Sequence, residues 1–277
     1  MRLTTFLWLL KDYECNLIAP KKDYFVTPQA ISSIFEEICP NCNAEIYVSF
    51  SSSGKLSKAF VSNIIKNFKF PAQVESKLKV LKDRRRFYFL ICVDSLDGFF
   101  RIYEQMTVEK FYFNGFFIVF FPNATFSDMN KIFELLWKMF VFNVIIINES
   151  GEVFTFMPFG KLGNCSDVTP VEINNFNRES SEWTSKNFFP RKFTNLNKCP
   201  IKCGVFNLIP AIIITRHSDG SVALSGFDVD TFNELMKSIN AEVKYTVYPV
   251  DTGTFYSNGT GTGLLGRTLR GEISIFL

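Results

Sequence analysis

The sequence predicts an α/β protein of two units, on three observations: short apolar runs alternate with amphipathic stretches between Ile46 and Phe159, the rhythm breaks from residue 161, and it resumes after Cys199. The runs Ile46–Phe50, Phe87–Val93, Phe116–Phe121, Val144–Ile147 and Val153–Met157 are β-branched or aromatic and bounded by turn formers, as buried strands are. Between them Lys55–Phe68, Leu96–Lys110 and Ser127–Phe140 place apolar residues three and four apart, for example Ile132, Leu135, Leu136 and Met139, and read as helices. Ser127, followed by Asp128, is the expected cap of the third. Strand, helix, strand in succession implies a mainly parallel sheet, because parallel neighbours need a crossover connection.

Residues 161–190 scatter Asn, Ser, Thr, Glu and Gly without period and read as a seam. Beyond it come a strand over Ile201–Phe206, a loop through Pro210, a helix over Asp228–Ile239 and a strand over Val243–Tyr248. A short helix over Gly263–Arg270 and a strand over Ile273–Leu277 follow. The expected organisation is an α/β unit over 1–160, a linker over 161–197 and a second unit over 198–277. A buried parallel strand needs neighbours and a following connection, so the apolar finish at Leu277 is expected to be a truncation.

Composition narrows the function classes. Hydrophobic residues are 47% of the 277 and charged ones 21%, which suits a packed core, and the 33 phenylalanines point to aromatic cores. The formal charge is only +3, and the one basic run, Lys82–Arg86, lacks interleaved stacking aromatics, so nucleic acid is not an expected partner. No segment approaches the roughly 18 apolar residues that a membrane helix needs. Residues 2–10 have one positive charge and a short apolar stretch, a secretory-signal pattern without a small-residue cleavage site.

Side-chain chemistry points away from catalysis. Cys39 and Cys42 have redox spacing, but an amphipathic stretch precedes them where a thioredoxin-like site has a strand, and zinc would need two more ligands. A structural thiol pair or local disulfide is expected there. The single histidine, His217, stands in a turn-like stretch, and Asp228 with Asp230 suits the start of a helix. No enzyme, cofactor or metal is expected. With seven cysteines, at 15, 39, 42, 92, 165, 199 and 203, at least one stays unpaired if the rest are bridged. Asn123, Asn148, Asn164 and Asn258 open glycosylation sequons.

Three blocks carry a family resemblance. They are Lys192–Phe206 with Pro210 closing the next loop, Leu224–Leu235 with Gly226-Phe227 leading through Asp230 into a helix, and Gly263–Ile275 with Gly266 and Gly271. In this order and spacing they resemble the start of the ligand-binding domain in ionotropic glutamate receptors. With Asn143–Cys165, they are similar to the arthropod chemosensory branch of that family. The resemblance implies that residues 198–277 form an incomplete first lobe of a periplasmic-binding-protein-like (type II) ligand-binding domain, preceded by a divergent amino-terminal α/β domain. It implies scaffold roles for Gly226, Phe227, Asp230, Gly263, Gly266 and Gly271, ligand-facing places for Leu208, Leu224 and Ser225, and a disulfide between Cys165 and Cys199. Leu224 stands where glutamate receptors place an aromatic ring and Ser274 where they usually carry an acid, while the ligand-holding arginine would lie beyond Leu277, so glutamate is not the expected ligand. The implied full-length protein is a ligand-gated cation channel at the plasma membrane, its clamshell outside the cell. It would bind a small molecule, assemble with other subunits as a hetero-oligomeric tetramer, and meet the membrane only through segments this chain lacks. A soluble clamshell solute-binding or decoy protein is the alternative.

Overall fold

The structure, a computed structural model, describes residues 26–38, 46–50, 58–68, 72–74, 88–108, 115–160, 164–249, 252–256 and 259–277. The chain divides into two compact units, one of residues 1–156 and 168–190 and one of 157–167 and 191–277.

The first unit is built on strands β1 (Ile46–Phe50), β2 (Ala72–Val74), β3 (Tyr88–Cys92), β4 (Phe116–Phe120), β5 (Val144–Ile147), β6 (Glu152–Phe156), β7 (Pro170–Asn177) and β8 (Glu182–Trp183). They form one eight-stranded sheet in the order β2-β1-β3-β4-β5-β6-β7-β8. The first five are parallel, and β6, β7 and β8 continue antiparallel. Helices α1 (Pro28–Ile38), α2 (Lys58–Lys66), α3 (Leu96–Val108) and α4 (Phe126–Lys138) cover it. Alternation along each strand splits the core. Tyr88, Leu90, Cys92, Ile118 and Phe120 join Ile34, Phe35 and Ile64 of α1 and α2, whereas Phe89, Ile91, Phe117 and Val119 join Phe99, Ile102, Phe133 and Leu136 of α3 and α4. A sheet buried on both faces reads as an unbroken apolar run, which is why these strands are plain in the sequence. Aromatic pairs cross the strands, with the Phe89 and Phe117 rings stacked at 4.5 Å.

Helix starts follow local chemistry. Thr27 Oγ1 accepts from Ala30 N at 3.2 Å, and Pro28 takes the first helical position, where a missing N–H costs least. The cap of α4 is Thr125, not Ser127: Thr125 Oγ1 accepts from Asp128 N, and the Asp128 carboxylate accepts from Thr125 N. The reciprocal box satisfies two orphan donors, which Ser127 inside the first turn cannot do.

The expected linker over 161–197 is also corrected, because residues 170–177 and 182–183 are strands of the first sheet. Their signal is polar. Asn174 is only 3% exposed, donates to Ser185 O, and accepts from Thr184 Oγ1 and Ser185 N. Trp183 donates its indole N–H to Ala30 O and Ser33 Oγ on α1. A buried amide with its bonds made can fix a strand as firmly as an apolar side chain.

The second unit holds β9 (Pro200–Val205), β10 (Ile213–Arg216), β11 (Val222–Ser225), β12 (Glu242–Val247) and β13 (Ile275–Phe276), with α5 (Phe227–Ser238) and α6 (Gly263–Leu269). β12-β9-β13 is a parallel sheet and β10-β11 an antiparallel hairpin. Cys203 and Val205 face Val229 and Phe232 of α5. On the other face α6 and Ile273 cover Gly204, and exposed Lys202, Lys244 and Thr246 make the remainder polar.

Cys165 and Cys199 are bonded, with Cα atoms 5.7 Å apart, closing a 34-residue separation that contributes roughly 3–4 kcal/mol. Asn197 Nδ2 donates to Phe159 O beside it, so residues 157–167 belong with β9. Cys92 and Cys203 are reduced and buried, and burial pushes their thiols up to about 12 and about 11. Cys39, Cys42, Lys82–Arg86 and Asn258 lie outside the described residues. Among the described residues, no helix is long and apolar enough to cross a membrane.

Two outcomes check this packing. Asn174→Ala strips Ser185 and Thr184 of their partner and is expected to cost about 1–3 kcal/mol in urea unfolding; an unchanged midpoint refutes the polar anchor. Lys192 is 7% exposed, and burial lowers its ammonium from 10.5 to about 7. Between these values the unfolded chain holds a proton that the native chain releases, so stability rises with pH from about 7. Above about 9 the raised thiols act the opposite way, losing stability as pH climbs toward their folded values. The Lys192→Met variant should therefore lose the rise between pH 7 and 9, and a variant with the wild-type slope contradicts the assignment.

Candidate ligand cleft

In open α/β sheets, ligands collect beyond the carboxyl ends of the strands, where the strand order reverses, because helix starts and loops diverge there. In the second unit β9 lies between β12 and β13, and a cleft of about 460 Å³ opens at the carboxyl ends of β9 and β12. Its volume suits a small molecule, for which roughly 300–1,000 Å³ is usual.

The strand ends supply Phe206, Asn207, Val247, Tyr248 and Pro249, and the β10-β11 hairpin supplies Ile214 and Arg216. Asn207 Oδ1 accepts from Ile214 N at 3.1 Å, which ties the hairpin to the end of β9. Tyr248 forms a wall. Its N–H donates to Val205 O, its ring lies over Gly204, and the Arg267 guanidinium stands 4.3 Å from the ring centroid. Arg267 and Arg270 both bond Glu272, which holds its carboxyl below the usual range through the hydrogen bond from Arg270 first and that from Arg267 next. At Gly204 an added Cβ would lie 2.6 Å from Ile273 Cδ1, 3.1 Å from Leu264 Cδ2 and 3.3 Å from Tyr248 Cε2. Ile273 is the side chain that such a Cβ would displace, whereas Leu264 and Tyr248 would have to give by only a few tenths of an ångström.

The residues expected from sequence fall in different places. Leu224 is the register partner of Ile214, so it stands on the hairpin face that carries Ile214 and Arg216, half-buried against the core of the unit. Ser225 pairs with Ile213 and belongs to the opposite face. Leu208 bridges to Ile212 and is 49% exposed outside the cleft lining, so no contact places it at the site. Gly226 has φ 116° before α5, and a Cβ there would sit 2.4 Å from Ala211 O. Asp230 N donates to Gly226 O in the first turn, and the Phe227 ring is exposed. Gly263 starts α6, Gly266 packs on the Gly261 carbonyl and Gly271 ends the turn after α6 in open space. His217 lies in the hairpin turn, its N–H donating to Ser221 O.

The sequons also separate. Asn123 and Asn164 are exposed, whereas Asn148 is 9% exposed, with its amide nitrogen donating to Glu152 Oε2. Sequence reasoning missed Phe206, Asn207, Arg216 and Tyr248, whose role comes from the meeting of strand ends with a hairpin. The turn composition of His217–Gly220 was the one available sign of that hairpin.

A larger depression of about 770 Å³ follows the β7–β8 turn. Its polar side chains serve their own turn, as Asn177 Oδ1 does for Glu179 N and Ser180 N, so it offers a ligand little.

The second unit is thus a small α/β lobe, covered on both faces of its sheet, with an open strand-end cleft lined by both apolar and polar groups, the kind of place where small molecules bind. The chain belongs to the family described as "Putative ionotropic receptor, ligand binding domain", whose model matches residues 30–195. It is a receptor ligand-binding family and not an enzyme family. The match spans the helices and strands of the first unit and ends before Cys199, where the resemblance read from sequence is densest. A comparison with curated proteins finds no match.

Gly204→Ala is expected to cost roughly 1–3 kcal/mol, because Ile273, Leu264 and Tyr248 must all give way. Chemical denaturation of the variant checks it, and wild-type stability contradicts the packing.

Proposed function

We propose that the chain is the ligand-sensing part of an ionotropic chemosensory receptor of the arthropod type, outside the cell, in which a small molecule bound at the carboxyl ends of β9 and β12 biases a clamshell toward closure. The observation that carries this reading is the cleft between Tyr248 and the β10-β11 hairpin, in a chain whose family is a receptor ligand-binding domain. The three sequence blocks support the type II lobe, and the β12-β9-β13 order suits it. A ligand shifts such an equilibrium only by its preference for the closed state. In the receptor the chain works with other subunits in a tetrameric cation channel, anchored through further segments, and the exposed Asn123 and Asn164 accept glycans.

A second reading has its own support, because the family match covers the first unit. There the strand order reverses at β1 and β3, and Asp94 and Ser95 follow the carboxyl end of β3.

Thermal shift with a panel of small molecules separates the two. Ligands at 100 times their Kd stabilise by about 2.7 kcal/mol. The first reading expects the shift to vanish in Pro249→Trp, which fills the cleft mouth, and to persist in Asp94→Trp. The reverse pattern assigns the ligand to the first unit.

A further inference from the structure

Asn164, Cys165 and Ser166 form a glycosylation sequon whose middle residue is also half of the disulfide, so one short segment is the substrate of two covalent reactions. All three residues are exposed, whereas Cys199, the other half, is 2% exposed just before β9. In the folded chain the segment is held at several points. Asn164 Nδ2 donates to Asp167 Oδ2 at 2.7 Å, Asp167 N donates to Pro158 O at 3.1 Å, and Ser166 stands at φ 63°. Cys199 is fixed in turn, its N–H donating to Leu196 O and its carbonyl accepting from Glu242 N. A glycosyltransferase has to draw the acceptor backbone into its own cleft and reshape it, which a free segment permits and a segment pinned to a strand resists. Timing then matters. Cys199 follows Cys165 by 34 residues, and at about 5–20 residues synthesised per second that separation takes about 2–7 s. Through this interval the sequon is open and Cys165 lacks its partner; once Cys199 arrives, oxidation takes seconds or longer.

We propose that the Cys165–Cys199 bridge closes the Asn164 sequon, so that a glycan is added there only before the two thiols are oxidised and the mature protein carries it in part. In the first reaction Asn164 Nδ2 attacks the anomeric carbon of a lipid-linked oligosaccharide, a proton leaves the nitrogen, and lipid pyrophosphate leaves the carbon. In the second the two thiols give two electrons and two protons to a disulfide oxidant, which departs as a dithiol. The order is asymmetric. Asn164 is exposed, so a sugar already on it leaves Cys165 able to reach Cys199, whereas the bridge removes the freedom that the transfer needs. The inference rests on the proposed placement of the chain outside the cell, since both reactions belong to the secretory route.

Peptide mass spectrometry of the whole chain made in eukaryotic cells, secreted and retained fractions together, reads the occupancy of Asn164 and Asn123 side by side. The wild type is expected to show partial occupancy at Asn164. Cys199→Ser, which leaves the sequon intact, should raise it about 2-fold, with Asn123 unchanged. Cys165→Ser, which keeps Asn164 and Ser166 in their spacing, should raise it likewise. Gly204→Ala loosens the same unit with both thiols present and should leave Asn164 at the wild-type level. Complete occupancy in the wild type, or no rise in Cys199→Ser, overturns the inference, while a glycan at Asn123 preserves the extracellular placement. A rise in Gly204→Ala equal to that in Cys199→Ser assigns the effect to folding in general and overturns the bridge as its cause. A chain without sugar at either asparagine overturns the placement and the inference together.

Discussion

The second unit depends on what happens at one position without a side chain. Gly204 lies mid-strand in β9, and Ile273, Leu264 and Tyr248 all converge on the space its Cβ would fill. That convergence brings α6 onto one face while α5 occupies the other, so a three-stranded sheet acquires two covers. It also sets the Tyr248 ring where it can wall the cleft, backed by Arg267 and, through it, Glu272. Core packing and the wall of the candidate cleft therefore meet at Gly204, where Ile273 is the closest contact.

The first unit obeys a different constraint. Its central strands alternate between two cores, so every residue of β3 is buried. Such a strand can be read from sequence, because nothing in it has to face water. The amphipathic helices were legible for the complementary reason that one stripe is apolar. Illegible elements were those held by polar or tertiary contacts: β7 and β8 rest on Asn174 and Trp183, and the β10-β11 hairpin, in a stretch taken as loop and turn, is tied by Asn207. Neither Asn174 nor Asn207 differs in sequence from an ordinary loop asparagine; burial and partner make the difference.

The same division runs through the site. Leu224, named through the likeness of its sequence block, pairs in register with Ile214 and packs half-buried against the core of the unit. Ser225, one residue on, is turned to the opposite face, as the strand period requires. Leu208, named from the same likeness, forms an isolated bridge with Ile212. Register, which likeness of sequence cannot supply, decides which of these side chains share a face. The family match adds the receptor class over residues 30–195, and the two units each carry an open sheet whose order reverses once among its parallel strands.

Hydrogen–deuterium exchange on the whole chain, with and without a bound small molecule, tests most directly where recognition occurs. The account predicts slowed exchange at residues 205–216 and 247–249, the strand ends and hairpin that face one another. Slowing confined to the segment after β3, around Asp94 and Ser95, with 205–216 unchanged, contradicts it.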